Sequence, residues 1–498
     1  MYISRRHFMK RSLGALTTAG SVGVLAQLGA MNAFADCSGG YKALVCIYLN
    51  GGMDCHNAVI PYPGSALYAA YNNARGGTPL ALNSTLLSNS GINSLAQPTA
   101  APDFALAPEF SNLRRLYNLG QVAIVANVGP INVSSATLDP KYLTSINYTP
   151  YLPENAYSHS DQTNQWQAAA AVNSLIGSGW GGRLAEGCVN NSNQNGLPLS
   201  FNAGSSGLFN IGNSSSPMVA NGTGSARGLD SISRLNVGLN GSSVLTGAGS
   251  GTPLTLLRFT NGTTLMQAAD TLSANGDQQA QQLLSALANS RDLSAGFRTP
   301  PPDNTLATST LAKQLALVAQ LISVQVSLGI NRQVFFVSMG GFDTHTGETA
   351  LTAPNGLQTQ LDLAIGAFFN NLGSCASSVT AFTASEFGRS LQPASGGGSD
   401  HGWGGHHFVI SGPDGGLSAG GKIYGKYPDD ITVGGPHDAT TPSTFPTKRG
   451  VLIPTTSVEQ YVSPIARWFG VDPLTPNLFP NLAMFATSGQ NLDFMKSA

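Results

Sequence analysis

The chain alternates short apolar runs with longer stretches of helical spacing. "YKALVCIYL" (41–49) is almost wholly apolar, and two glycines stop it. A run bounded in this way predicts a strand buried on both faces, as in a parallel sheet, because a half-exposed strand would alternate. "QVAIVANVG" (121–129), "QVFFVSM" (333–339), "SVTAFTAS" (378–385) and "HHFVISG" (406–412) predict further strands. "LAPEFSNLRRLYNLG" leads into the second of them with helical spacing and a glycine stop. Leu311, Leu315, Val318, Ile322 and Val326 mark a helix ended by Gly329, and Leu357, Leu361, Ile365, Phe368 and Leu372 mark another. Strands alternating with such helices predict βαβ units, an α/β fold around a mainly parallel sheet.

Two regions read differently. Residues 188–250 are dense in Asn, Gly and Ser, with short apolar pieces between turn signals. They predict small strands on a cap or insertion reaching to about 300, where "TPPPDN" (299–304) breaks the chain. Residues 263–291 read as helical and polar. Near the end, "IPTTSVEQYVSPIARWFGVD" predicts a helix opened by a capping box from Thr456 to Glu459. Val458, Tyr461, Val462, Ile465, Trp468 and Phe469 would form its apolar face, with a kink or restart at Pro464.

A length of 498 residues suits one large domain with an insertion. Charged residues make up only 10% of the chain, and their near balance does not suggest nucleic acid as a partner. The first 35 residues read as a twin-arginine export signal. "SRRHFMK" carries Ser4, Arg5, Arg6, Phe8 and Lys10 in the expected places, an apolar stretch runs from Leu13 to Leu28, and "AFA" (33–35) is a cleavage site before Asp36. The stretch contains Gly, Ser, Thr and Gln and is short for a membrane span. The expected mature protein is therefore 36–498, periplasmic or secreted, without a membrane span, and handled by the twin-arginine machinery. Loss of Arg5, Arg6, Lys10 and Arg11 leaves 20 basic against 25 acidic residues, net −5. All five cysteines lie in the mature part, so at least one is free or bonded elsewhere. Cys46 reads as a small strand hydrophobe.

Open α/β sheets bind ligands beyond the carboxyl ends of their strands. Asp54, Cys55, His56 and Asn57 follow the first strand; Asp343 and His345 follow "QVFFVSM"; Glu386 and Arg389 follow "SVTAFTAS". "GSDHGWGGHH" then supplies Asp400, His401, His406 and His407. Carboxylates and imidazoles gathered at strand ends suit a divalent ion of the Zn²⁺, Mn²⁺ or Ca²⁺ kind, and a carboxylate-rich mixture can hold two. Each piece alone has a plainer reading, since D-x-H is also turn composition.

Taken in order, "LNGGMDCHNAVIPY", "SHSDQTNQWQ", "GWGGRLAE", "GGFDTHTG", "SEFGRS", "SDHGWGGHHFVISG", "GGKIYGKYPD" and "RGVLIPTTSVEQYVSPIARWFGV" resemble the exported proteins of domain-of-unknown-function family 1501. That family is placed in the alkaline phosphatase and sulfatase superfamily. The resemblance covers roughly 40–490 and implies a doubly wound, mainly parallel sheet of alkaline phosphatase type. It implies metal ligation by Asp54, Asp343, His345, Glu386, Asp400 and His401, with His406 in reserve. Glu386 stands where the superfamily has Asp, and no His follows it. Ser158 would be the nucleophile at a helix start, or simply the helix cap. His159 would be a neighbouring ligand or acid, and Arg389 an anion clamp. "CHNAV" lacks the C-x-P/A-x-R pattern of a formylglycine site, so Cys55 is expected to be incidental. The implied activity is metal-dependent hydrolysis of a phosphate or sulfate ester, on a small molecule or glycan. The alternatives are a non-catalytic metal-binding or carbohydrate-binding exported protein.

Overall fold

The computed structural model describes residues 40–497 apart from 98–101, 134–136, 193–196, 204–206, most of 221–308, 348–355, 441–446 and 487–491. A nine-stranded sheet dominates it. In chain order its strands are β1 (Lys42–Leu49), β2 (Val122–Gly129), β3 (Ser200–Ala203), β4 (Met218–Ala220), β5 (Arg332–Met339), β6 (Val379–Ala384), β7 (Gly405–Ser411), β8 (Lys422–Tyr424) and β9 (Thr456–Ser457). Their order across the sheet is β8-β2-β7-β6-β1-β5-β3-β4, with β9 also on β2. Every pairing is parallel except those of β7, which runs against both β6 and β2. The fold is therefore α/β with a mixed, mostly parallel sheet.

β1 sits at the centre, flanked by β5 and β6 in parallel register, Leu44 opposite Val334 on one side and Thr380 on the other. From Ala43 onward its residues are buried, which is why the run is apolar throughout rather than alternating. Aromatic contacts place helices against both faces. Trp180, at the start of the helix Trp180–Ser192, lies 5.4 Å from Phe382 of β6, while Phe110, at the head of the helix Ser111–Asn118, meets Phe408 of β7 edge-on at 5.7 Å. Neighbouring positions on a strand face opposite ways; Val409 pairs with Phe382, so Phe408 points to the other side.

Several local expectations shift. Ser200–Ala203 and Met218–Ala220, within the stretch read as a cap or insertion, extend the main sheet beyond β5. Most of the helical stretch read at 263–291 lies outside the described residues. The helix through Leu311 is broken after Ser323 and resumes as Gln325–Leu328, with Gly329 left-handed as its stop. Cys188 is disulfide-bonded, Cys46, Cys55 and Cys375 are free thiols, and Cys37 lies outside the described residues.

Candidate metal centre

The loops leaving β1, β5 and β6 are stitched together at their carboxyl ends. Asn50 N–H donates to Met339 O (2.8 Å) and Phe342 N–H to Asn50 O (3.1 Å). Ser385 Oγ donates to Leu49 O (2.7 Å) and accepts from Met53 N–H (2.9 Å). Gly51 makes this packing possible. Its φ is +118°, and a Cβ there would fall 2.2 Å from Asp343 N. Any larger residue would collide with the backbone that aims Asp343.

Asp343 lies half exposed at the mouth of this seam, and three imidazoles converge on it through their Nε2 atoms. His345 Nε2 lies 3.1 Å from Asp343 Oδ1, His401 Nε2 3.4 Å from Oδ1, and His159 Nε2 3.5 Å from Oδ2. The ligand atoms of His159, Asp343 and His401 fall within 4.8 Å of one another, and His345 adjoins them with its Nε2 3.0 Å from that of His401. Each Nδ1 is engaged behind: His159 with Glu386 Oε1 (2.9 Å), His345 with Asp400 Oδ1 (3.1 Å), His401 with the Tyr157 carbonyl (2.9 Å). Each of these partners can accept from Nδ1, and the tautomer protonated there is the one that leaves Nε2 as a ligating lone pair. Metal-binding histidines are held in this way. The His159 Nε2 atom is buried without a hydrogen-bond partner. Two imidazole nitrogens and a carboxylate within reach of one point, with a third nitrogen beside them, fit a divalent ion.

The local electrostatics differ between the histidines. A hydrogen bond donated to Glu386 draws the His159 pKa upward against burial, while burial holds that of His401 below its ordinary value. Partial burial would raise the Asp343 carboxyl, but the Arg389 guanidinium, joined by the three histidines when they are protonated, outweighs it and keeps the pKa low.

The elements explain the placement. His159 opens the helix His159–Ala168, capped by Ser158. Asp400 and His401 sit on a hairpin in which Arg389–Pro393 pairs with Ser399–His401, and Arg389 lies opposite His401. The buried Arg389 donates from Nη2 to Asp343 Oδ1 (3.2 Å). Its Nε and Nη1 atoms are closed off from solvent. The guanidinium supports Asp343 through Nη2, while Nε and Nη1 have no hydrogen-bond partner among the described residues.

Not every expected ligand reaches the cluster. Glu386 is 2% exposed and also accepts Gly51 N–H (2.7 Å), so it stands behind His159. Asp400 stands behind His345 and is paired on its far side with Arg449. Asp54 is buried, both its oxygens engaged by Arg75 at 2.6 and 3.0 Å. His406 is buried in β7, its Nδ1 accepting Asn127 N–H (2.9 Å) and its ring stacked on Tyr427. Ser158 Oγ accepts Asp161 N–H (3.4 Å), which is cap geometry, and donates to Asp161 Oδ2 (2.6 Å). Cys55 is fully buried and burial pushes its thiol up to about 12, so it is no nucleophile.

Sequence reasoning missed Arg75 and the Tyr157 carbonyl. Arg75 ends a helix of its own, Ala66–Arg75, far from any motif. Tyr157 adopts φ +70°, which a tyrosine seldom does and which the sequence does not announce.

A mixed, mostly parallel α/β sheet with acids and imidazoles gathered at the carboxyl ends of its central strands defines the class to which this protein belongs. More particularly, the chain belongs to the family described as protein of unknown function DUF1501, whose profile matches residues 41–473. No curated protein matches it.

Proposed function

We propose that the protein is an exported, metal-dependent hydrolase of a phosphate or sulfate ester on a core of alkaline phosphatase type. The observation that carries this reading is the convergence of three Nε2 atoms on the half-exposed Asp343 carboxylate. His159, Asp343, His401 and the adjoining His345 would hold the ion. A divalent ion bound there supplies Lewis-acid polarisation of an ester oxygen and offsets charge developing in the transition state. Glu386, Asp400 and the Tyr157 carbonyl keep each proton on Nδ1, leaving the facing nitrogens free to ligate. Arg389 holds Asp343 ionised and in place. The twin-arginine leader and the disulfide-bonded Cys188 support export to an oxidising compartment. Among the described residues no helix is long and apolar enough to cross a membrane.

A second reading, a metal-binding protein without turnover, is favoured by Ser158, whose hydroxyl is committed to Asp161 rather than to the cluster. Elemental analysis paired with a screen of phosphomonoester, phosphodiester and sulfate ester substrates separates the two. Bound metal that is lost in Asp343→Ala and His401→Ala, with ester hydrolysis lost alongside, supports the hydrolase. Metal without hydrolysis supports the second reading. Wild-type protein that takes up no divalent ion overturns both.

A further inference from the structure

We infer that the buried Asp54–Arg75 pair is a positioning device for the metal centre, setting the hairpin that carries His401; this rests on the metal-centre reading above. Asp54 leaves the carboxyl end of β1, and its side chain turns inward, away from solvent (1% exposed). Arg75, at the end of its helix, is 0% exposed and meets Asp54 through two parallel contacts of 2.6 and 3.0 Å. The planar guanidinium then reaches further. Nε donates to Leu391 O (2.8 Å) and Nη2 to Ser390 O (3.0 Å), two successive carbonyls of the hairpin strand Arg389–Pro393. Ser390 passes the restraint across the hairpin, its Oγ accepting Asp400 N–H (3.0 Å). Arg389, one residue before Ser390, contacts Asp343, and His401 lies directly opposite Arg389.

A fork with five donors in one plane can bridge a carboxylate and two carbonyls, which a lysine cannot. The pair is also indispensable as a pair, because a buried guanidinium stripped of its carboxylate is an uncompensated charge. Asp54 thus serves the centre through the backbone of residues 389–401 rather than as a ligand.

Hydrogen–deuterium exchange and Co²⁺ or Zn²⁺ titration of the full mature chain test the inference, using Arg75→Lys, Asp54→Asn and the milder Ser390→Ala. Exchange at residues 389–401 is expected to rise in folded Arg75→Lys and Asp54→Asn while β1 and β5 keep their protection. Metal affinity is expected to fall about 10–100-fold, as for other groups that orient ligands, and the ligand-field spectrum of bound Co²⁺ is expected to change. Ser390→Ala, a small truncation at a residue that is itself buried, should loosen the Asp400 side of the hairpin alone, and unchanged exchange there overturns the relay from the anchor to the metal centre even if the other two variants do not fold. Unchanged hairpin exchange in folded variants overturns the inference. So does unchanged affinity and spectrum against a metal-binding wild type. Wild-type protein that binds neither ion overturns the metal-centre reading instead, and the anchor itself is then decided by exchange at the hairpin.

Discussion

Glu386 shows at the scale of one residue how a site can be visible in a sequence while its roles are not. A carboxylate just after a central strand, with Asp343, His345 and His401 after others, is what a reader of strand ends finds. What the sequence lacks is depth. Glu386 is buried and reaches the cluster only through His159, and Asp400 reaches it only through His345. Asp54 is hidden further by a partner 21 residues on, and no local pattern announces that pairing. Replacing Glu386 with Gln keeps the shape but removes the charge that holds the His159 Nδ1 proton. The expected result is a loss of metal affinity of about 10–100-fold by calorimetric titration, with little change in melting temperature. Affinity equal to wild type would mean that His159 is oriented by something else.

At the scale of elements, the helix Val458–Phe469 was legible almost entirely, since its apolar face follows the 3.6-residue period. Its start is one residue later than expected: Ser457 and Gln460 form the capping box, not Thr456 and Glu459. Adjacent Thr, Thr and Ser offer equivalent caps, and packing chooses among them. Pro464 interrupts no element, and the Ser463 hydroxyl donates to the Gln460 carbonyl that the proline cannot serve. The shift leaves Glu459 buried at the second helical position, and burial raises its carboxyl pKa from 4.5 to about 7. The protonated form is thus favoured by folding. Its contribution is whole below pH 4.5 and is lost as pH rises through about 7. Glu459→Gln should flatten the decline in stability over this range by up to about 3 kcal/mol, read from denaturant midpoints at a series of pH values. An unchanged pH profile would place the titration elsewhere.

The whole molecule was readable as alternating strands and helices, but the direction of β7 was not. An apolar run carries no sign of which way it points, and the chain places this strand between β6 and β2 by returning through the hairpin at Arg389–His401. Trp180 packs in the main core, its ring against Phe209, Phe382 and Phe479. Trp180→Ala should lower unfolding free energy by about 3–5 kcal/mol; a loss below 1 kcal/mol would show that the neighbouring rings close over the gap.

The central place of β1 also has a consequence in time. Leu49 has left the ribosome long before Ser385, its hydrogen-bonding partner 336 residues later, has been made. At about 5–20 residues per second that interval is on the order of half a minute. Throughout it an apolar segment stands without the strands that will cover it, the kind of sequence that joins other chains when left exposed. A nascent chain of this design depends on being shielded until translation ends.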